Sequence, residues 1–172
     1  MPRANEIWLG TFPVPGRAEE LARLLEANGW DGLAFTDSQN LTGDPFVGLG
    51  VAAHATRRLK LATGATNPAT RHPAVVASSI STIQAESGGR AVLGLARGDS
   101  ALAQLGRSPM PVGDFRKGLE QIQAYLRGEA VDQYGHPSRL EWLAGTGLPK
   151  VPVSVAATGP KVIAVAALLA ER

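Results

Sequence analysis

The residues able to do chemistry fall in short stretches that each follow an apolar run. Asp37, with Ser38 beside it, stands where such a run ends; a carboxylate there can hydrogen-bond a ligand or cap the turn. Thr66 and Asn67 offer a hydroxyl and an amide, although Asn67-Pro68 also starts ordinary turns and Arg71-His72 before Pro73 also leads into ordinary helices. Gly98-Asp99-Ser100 reads as a strand-to-helix connection with a capping side chain, or as a ligand contact. Thr158-Gly159-Pro160-Lys161 opens a helix whose unpaired N–H groups and positive dipole end suit an anion.

Other chemistries lack their residues. Cysteine is absent, which removes disulfides, thiolate metal ligands and cysteine nucleophiles together and fits a cytosolic, cytoplasmic enzyme. His54, His72 and His136 stand too far apart to make a metal site by spacing. His54 sits in an apolar helix as a packed or surface residue, and His136 sits in a turn, Tyr134-Gly135-His136-Pro137. There is no H-E-x-x-H, no G-x-S-x-G and no G-x-x-x-x-G-K-[ST], so metalloprotease, hydrolase-elbow and phosphate-loop readings fall away.

The elements that must carry these residues alternate between short β-rich runs and helical patterns, as βαβ units do. Glu6–Leu9, Gly32–Thr36, Leu59–Thr63, Ala91–Leu95 and Val151–Val155 read as strands. Ala18, Leu21, Ala22 and Leu25 share one helix face, and Asn28-Gly29 stops that helix. Asp44-Pro45 starts a second helix running to about Arg57, and Pro73 opens a third that Gly88-Gly89 ends. A helix bearing Phe115, Leu119, Ile122 and Leu126 precedes a hairpin-like excursion over Val131–Trp142, and a final helix covers Lys161–Ala170. The segment 144–149 is a loop within one domain, residues 1–172.

A doubly wound sheet and a (β/α)8 barrel share this alternation. The turn after the first strand, Gly10 to Gly16, lacks the G-x-G-x-x-G of a dinucleotide fold, which favours the parallel barrel. Eight units need about 250 residues. The 172 residues here supply the first five βα units of an incomplete α/β barrel. Uncovered edges at Glu6–Leu9 and Val151–Val155 would then invite self-association, such as a homo-oligomer.

The stretch Gly64-Ala65-Thr66-Asn67-Pro68-Ala69-Thr70-Arg71-His72-Pro73-Ala74 resembles the corresponding segment of methylenetetrahydromethanopterin reductases and their deazaflavin-dependent relatives in the luciferase-like superfamily. Trp30–Ser38, Leu93–Ser100 and Val155–Lys161 agree with that family in order and spacing. The resemblance implies hydride transfer involving C5 of coenzyme F420 and a small organic substrate, at the carboxyl ends of the barrel strands. It implies a non-prolyl cis peptide at Gly64–Ala65 against the ring, with Asp37 at the ring edge in catalysis. Thr66 and Asn67 would bond the ring's polar edge, Gly98 and Thr158 would lie at the mouth, and Gly159 with Lys161 would meet the coenzyme phosphate. An FMN-dependent monooxygenase is the alternative within the superfamily, and a non-catalytic flavin-binding or interaction protein is the alternative outside it.

Bulk properties set the partners. Seventeen Lys and Arg against fifteen Asp and Glu leave +2, and the basic residues are scattered, so no nucleic-acid footprint forms. Met1–Asn5 leads into no signal-peptide core, and the longest apolar run, Val162–Ala170, is too short to span a bilayer.

Overall fold

The computed structural model describes residues 5–172; the opening Met1–Ala4 of the signal-peptide reading lies outside them. In chain order the elements are β1 (Trp8–Thr11), α1 (Ala18–Ala27), β2 (Gly32–Phe35), α2 (Pro45–Ala55), β3 (Lys60–Thr63) and α3 (Pro73–Glu86). Then come β4 (Ala91–Leu95), α4 (Asp99–Ala103), α5 (Val112–Leu126), β5 (Val131–Gln133), β6 (His136–Ser138), β7 (Val153–Val155) and α6 (Pro160–Leu169). Five strands form one sheet in the order β1-β2-β3-β4-β7, every neighbouring pair parallel. This is the barrel-type order expected from the sequence, in which each crossover returns to the adjacent position.

Alternation along the strands decides what each face does. Leu33, Phe35, Leu61, Leu93, Leu95 and Val153 are buried toward the helices. There they meet Ala22 and Leu25 of α1, Leu49 of α2, Val76 and Ile80 of α3, Phe115 and Leu119 of α5, and Val162 and Val165 of α6, in one continuous core. Each Val, Leu, Ile or Phe side chain among them contributes roughly 1.5–3 kcal/mol by leaving water. The opposite sheet face carries Gly32, Ala34, Ala62 and Gly94 with the larger Trp8, Lys60 and Val92, and the Trp8 ring lies over Gly32, where a Cβ would come within 2.3 Å of it.

Helix starts follow local chemistry. Asp44 caps α2 by accepting from the Phe46 and Val47 N–H groups at 2.8 and 3.2 Å, with Pro45 in the first turn. His72 caps α3 through Nδ1, which accepts from the Ala74 N–H at 3.2 Å. The excursion expected over 131–142 is an antiparallel hairpin only over Val131–Ser138, and its turn residues, Tyr134 and Gly135, take φ of 57° and 83°. His54 is a surface residue paired with Glu86, and His136 is exposed in the hairpin.

Most elements lie within two residues of the sequence expectation, β7 beginning at Val153 rather than Val151, and the clearest departures are at β1 and α4. β1 begins at Trp8 and runs to Thr11, because Glu6 is drawn into an ion pair with Lys60 and the ladder starts opposite Gly32. α4 was not expected; five residues carry too little periodicity to be read, and Gly98 in the left-handed conformation starts it. The β7 edge is partly met, since the Glu171 and Arg172 N–H groups donate to the Val153 carbonyl at 3.0 and 3.2 Å. Among the described residues no helix is long and apolar enough to cross a membrane.

Candidate functional site

The centre of the site is an irregularity in β3. Ala62 stands opposite Val92, but Thr66, four residues on, stands opposite Leu95, only three residues on, so β3 carries one extra residue. The Gly64–Ala65 peptide within this bulge is cis, as the resemblance implied. The Gly64 N–H donates to the Phe35 carbonyl at 2.7 Å, Thr66 N–H to Gly94 at 2.9 Å, and Ala96 N–H to Thr66 at 2.8 Å. β4 passes so close that a Cβ on Gly94 would sit 2.0 Å from the Thr63 carbonyl oxygen, so only glycine fits there.

Asp37 leaves β2 beside this bulge and is 4% exposed. Its Oδ2 accepts from Thr66 Oγ1 at 2.6 Å and Arg71 Nε at 2.7 Å, and its Oδ1 accepts from Gln39 Nε2 at 2.7 Å and Arg71 Nη2 at 3.1 Å. Arg71 Nη2 also reaches Asp44 Oδ2 at 2.9 Å, and its guanidinium lies 5.1 Å from the centre of the Phe46 ring. The hydrogen bond to Asp37 raises the Arg71 pKa above its already high value, outweighing burial. For Asp44, burial pushes the pKa up, but the Arg71 hydrogen bond and the α2 N–H groups hold the carboxyl below its ordinary range.

Beside this network a hollow of about 350 Å³ opens at the carboxyl ends of the strands. Gly64, Ala65, Gly98, Ala156 and Thr158 line it, with Asp37 and Ser38 to one side and Phe12 and Leu41 at the outer lip. Ser38 Oγ and Ser100 Oγ are 2.8 Å apart across its wall. Among the residues expected from the sequence, Asp37, Gly64, Ala65, Gly98 and Thr158 therefore gather at one place. Thr66 and Asn67, expected at the ring edge, are not among the residues that line it. The Thr66 hydroxyl is given to Asp37, and Asn67 Oδ1 accepts from Ala69 N, Thr70 N and Thr70 Oγ1 while its side chain packs under Gly98. Gly159 and Lys161 lie just outside the lining at the α6 start, and Lys161 is exposed.

The sequence offers Arg71 as a lead into a helix and as part of the family segment, without a role at the site; its partner Asp37 is 34 residues away, and no local spacing announces that pair. A larger hollow of about 670 Å³, bounded by Gln84, Arg127, Leu140 and Leu148, lies toward the amino ends of β4 and β7 and holds none of these residues. Position at the strand ends and polar convergence, not size, mark the first as the site.

A parallel sheet in barrel order with a hollow over its carboxyl ends is the architecture of the (β/α) barrels. Within that class, the luciferase-like monooxygenase family model matches residues 1–171, and the chain belongs to this family. It is 36% identical over 152 residues to the 5,10-methylenetetrahydromethanopterin reductase of Methanolobus tindarius, covering 84% of this chain and 45% of the relative. The coenzyme F420 dependent tetrahydromethanopterin reductase from Methanopyrus kandleri superposes with a TM-score of 0.75 at 26% identity, over 96% of this chain and 53% of that one. The oxygenating constituent of 3,6-diketocamphane monooxygenase from Pseudomonas putida, solved with FMN, gives a TM-score of 0.68 at 19% identity, over 92% of this chain and 54% of that one, which is a likeness of fold. The chain thus spans about half the length of the relatives it matches.

Proposed function

We propose that this chain holds a flat flavin-type ring, coenzyme F420 before FMN, in the hollow over the β3 bulge, as the coenzyme half of an oxidoreductase acting on a small organic substrate. The observation that carries the reading is the hollow's make-up. Gly64, Ala65, Ala96, Gly98 and Ala156 put little beyond backbone and methyl groups around it, so a planar ring can lie close against them. Its volume lies within the range of small-molecule sites. When bound, the deazaflavin supplies hydride chemistry at C5.

The chain's own residues position and shield. Phe12 and Leu41, both 55% exposed, supply apolar cover at the lip, while the Thr158 hydroxyl and the Ser38–Ser100 pair offer hydrogen bonds to a polar ring edge or substrate. Asp37 belongs to this site as its buried charge. The α6 start, with Gly159 at its cap and Lys161 following, presents N–H groups and positive charge for a coenzyme phosphate. The similarity to the coenzyme F420 dependent reductase from Methanopyrus kandleri, at higher identity than to the FMN-bound monooxygenase, supports F420 over FMN. We also read the chain as self-associating in solution, since Ile163 and Leu168 of α6 are 53% and 73% exposed.

Titrating the purified chain with F420 and, separately, with FMN, followed by coenzyme fluorescence, tests the reading. Saturable binding with F420 the tighter ligand is expected; tighter FMN binding would put the monooxygenase reading first, and no binding of either would sink both. Light scattering of the same sample is expected to give a mass above that of the monomer, and a monodisperse monomer contradicts the self-association.

A further inference from the structure

We infer that Arg71 is the positioning residue of this site, and that Asp37 acts through Arg71 and Thr66 rather than on the ligand. The inference rests on the reading of the hollow as a ligand site, but the geometry behind it is independent of which ligand binds.

A carboxylate offers about four acceptor directions. All of them at Asp37 are taken, by Arg71 Nε and Nη2, Thr66 Oγ1 and Gln39 Nε2, at 2.6 to 3.1 Å. A buried carboxylate so occupied has no acceptor direction left to lend to a ligand. Its position beside the hollow therefore calls for a different role, and the role is visible in what it holds. Thr66 is fully buried and is the residue at which the bulged β3 rejoins β4, through its N–H to Gly94 and its carbonyl to Ala96. Asp37 anchors the Thr66 hydroxyl, Arg71 anchors Asp37 from two nitrogens, and Arg71 is anchored in turn by Asp44, which caps α2.

The result is a chain of charge-assisted hydrogen bonds joining the β2 exit, the α2 start and the β3 bulge that floors the hollow. Only a planar, multi-donor cation can make it. Arg71 bonds both oxygens of Asp37 and one of Asp44 at once while its face covers the Phe46 ring; the ammonium of lysine is a point charge and cannot reproduce that fork. The floor of the ligand site is thus set by a residue that does not itself line it.

The test measures amide hydrogen exchange by NMR in the unliganded protein and coenzyme affinity in parallel, for Arg71→Lys and Thr66→Val. In both variants the Gly64, Thr66 and Ala96 amides are expected to exchange at least tenfold faster relative to the Leu61 and Leu93 amides of the same sheet. F420 affinity, or FMN affinity if that is the wild-type ligand, is expected to fall at least tenfold. A uniform acceleration of all five amides, or none, would show Arg71 to be an ordinary stabilising residue and overturn the inference. Local acceleration with unchanged affinity would equally overturn it. Should Arg71→Lys not fold, Asp44→Asn, which keeps a capping side chain but removes one charge from Arg71, replaces it with the same outcomes. If the wild-type chain binds neither coenzyme, the functional reading fails and with it the ligand-positioning part, while the exchange experiment still decides whether Arg71 sets the bulge.

Discussion

The two ends of the sheet handle charge in different ways. At the amino ends, beside the Glu6–Lys60 surface pair, the half-buried Glu26 and Arg90 bond mainly to backbone. Glu26 accepts from the Arg57, Arg58 and Leu59 N–H groups at 2.9, 2.6 and 2.9 Å. Arg90 donates to the carbonyls of Ser87, Leu59, Ala53 and Thr56 and to the Thr56 hydroxyl. At the carboxyl ends, Asp37, Arg71 and Asp44 bond mainly to one another and to side chains, and Thr36 Oγ1, Gln39 Oε1 and Asn67 Nδ2 nearby are buried with no partner. The amino end ties its loops down through backbone and leaves a hollow whose wall carries one unmet polar atom, Ser81 Oγ. The carboxyl end is braced by a carboxylate–guanidinium network with several unmet polar atoms close by, at the end of the strands where a barrel carries its function.

If that contrast is right, damage at the amino end should cost stability and damage at the carboxyl end should cost binding. The largest effect is expected from Arg90→Met, which strips donors from four backbone carbonyls and should lower unfolding free energy by about 3–5 kcal/mol. Urea denaturation measures it, and coenzyme affinity of the folded fraction should not change. Next, Gly98→Val should lower stability by about 2 kcal/mol, because Gly98 has φ of +80° and a Cβ there would sit 2.9 Å from Asn67 Cγ. It should also narrow the hollow and weaken coenzyme binding more than tenfold; a loss of stability alone would break the comparison.

Glu26→Gln should cost about 1–2 kcal/mol at neutral pH and sharpen the contrast through its pH dependence. Burial pushes the Glu26 pKa up, but the N–H groups of Arg58, Leu59 and Arg57 outweigh it and hold the carboxyl below its ordinary range. The stability it contributes is therefore full above the unfolded-state value and is lost as pH falls through the folded one. The wild-type melting temperature should drop more steeply below about pH 4.5 than that of the variant; parallel acid limbs would count against the assignment. The smallest stability change, within about 0.5 kcal/mol, is expected for Thr158→Trp on the exposed rim, which should nevertheless abolish coenzyme binding by filling the mouth. Retained binding with an unaltered melt would place the ligand elsewhere.

Much of the fold was legible in the sequence because it rests on local physics. The strand runs at Gly32, Ala91 and their neighbours, the α2 cap at Asp44-Pro45, and the hairpin after Val131 each follow from residues within a few positions of one another. The site was legible only where a known family shares its residues. Gly64, Ala65, Gly98 and Thr158 were placed at the strand ends by that resemblance and lie together at the hollow, while α4 was too short to betray itself.

By itself the sequence determined the alternation of strands and helices, their parallel order and the end of the sheet at which polar residues collect, since periodicity, caps and chain direction are properties of neighbouring residues. Tertiary structure alone decided that the Thr66 hydroxyl and both arms of Arg71 turn to Asp37, that Asn67 tucks beneath Gly98, and that Glu171 returns to β7. Those choices depend on which distant groups burial deprives of water and brings within bonding reach, and no window of sequence contains both partners.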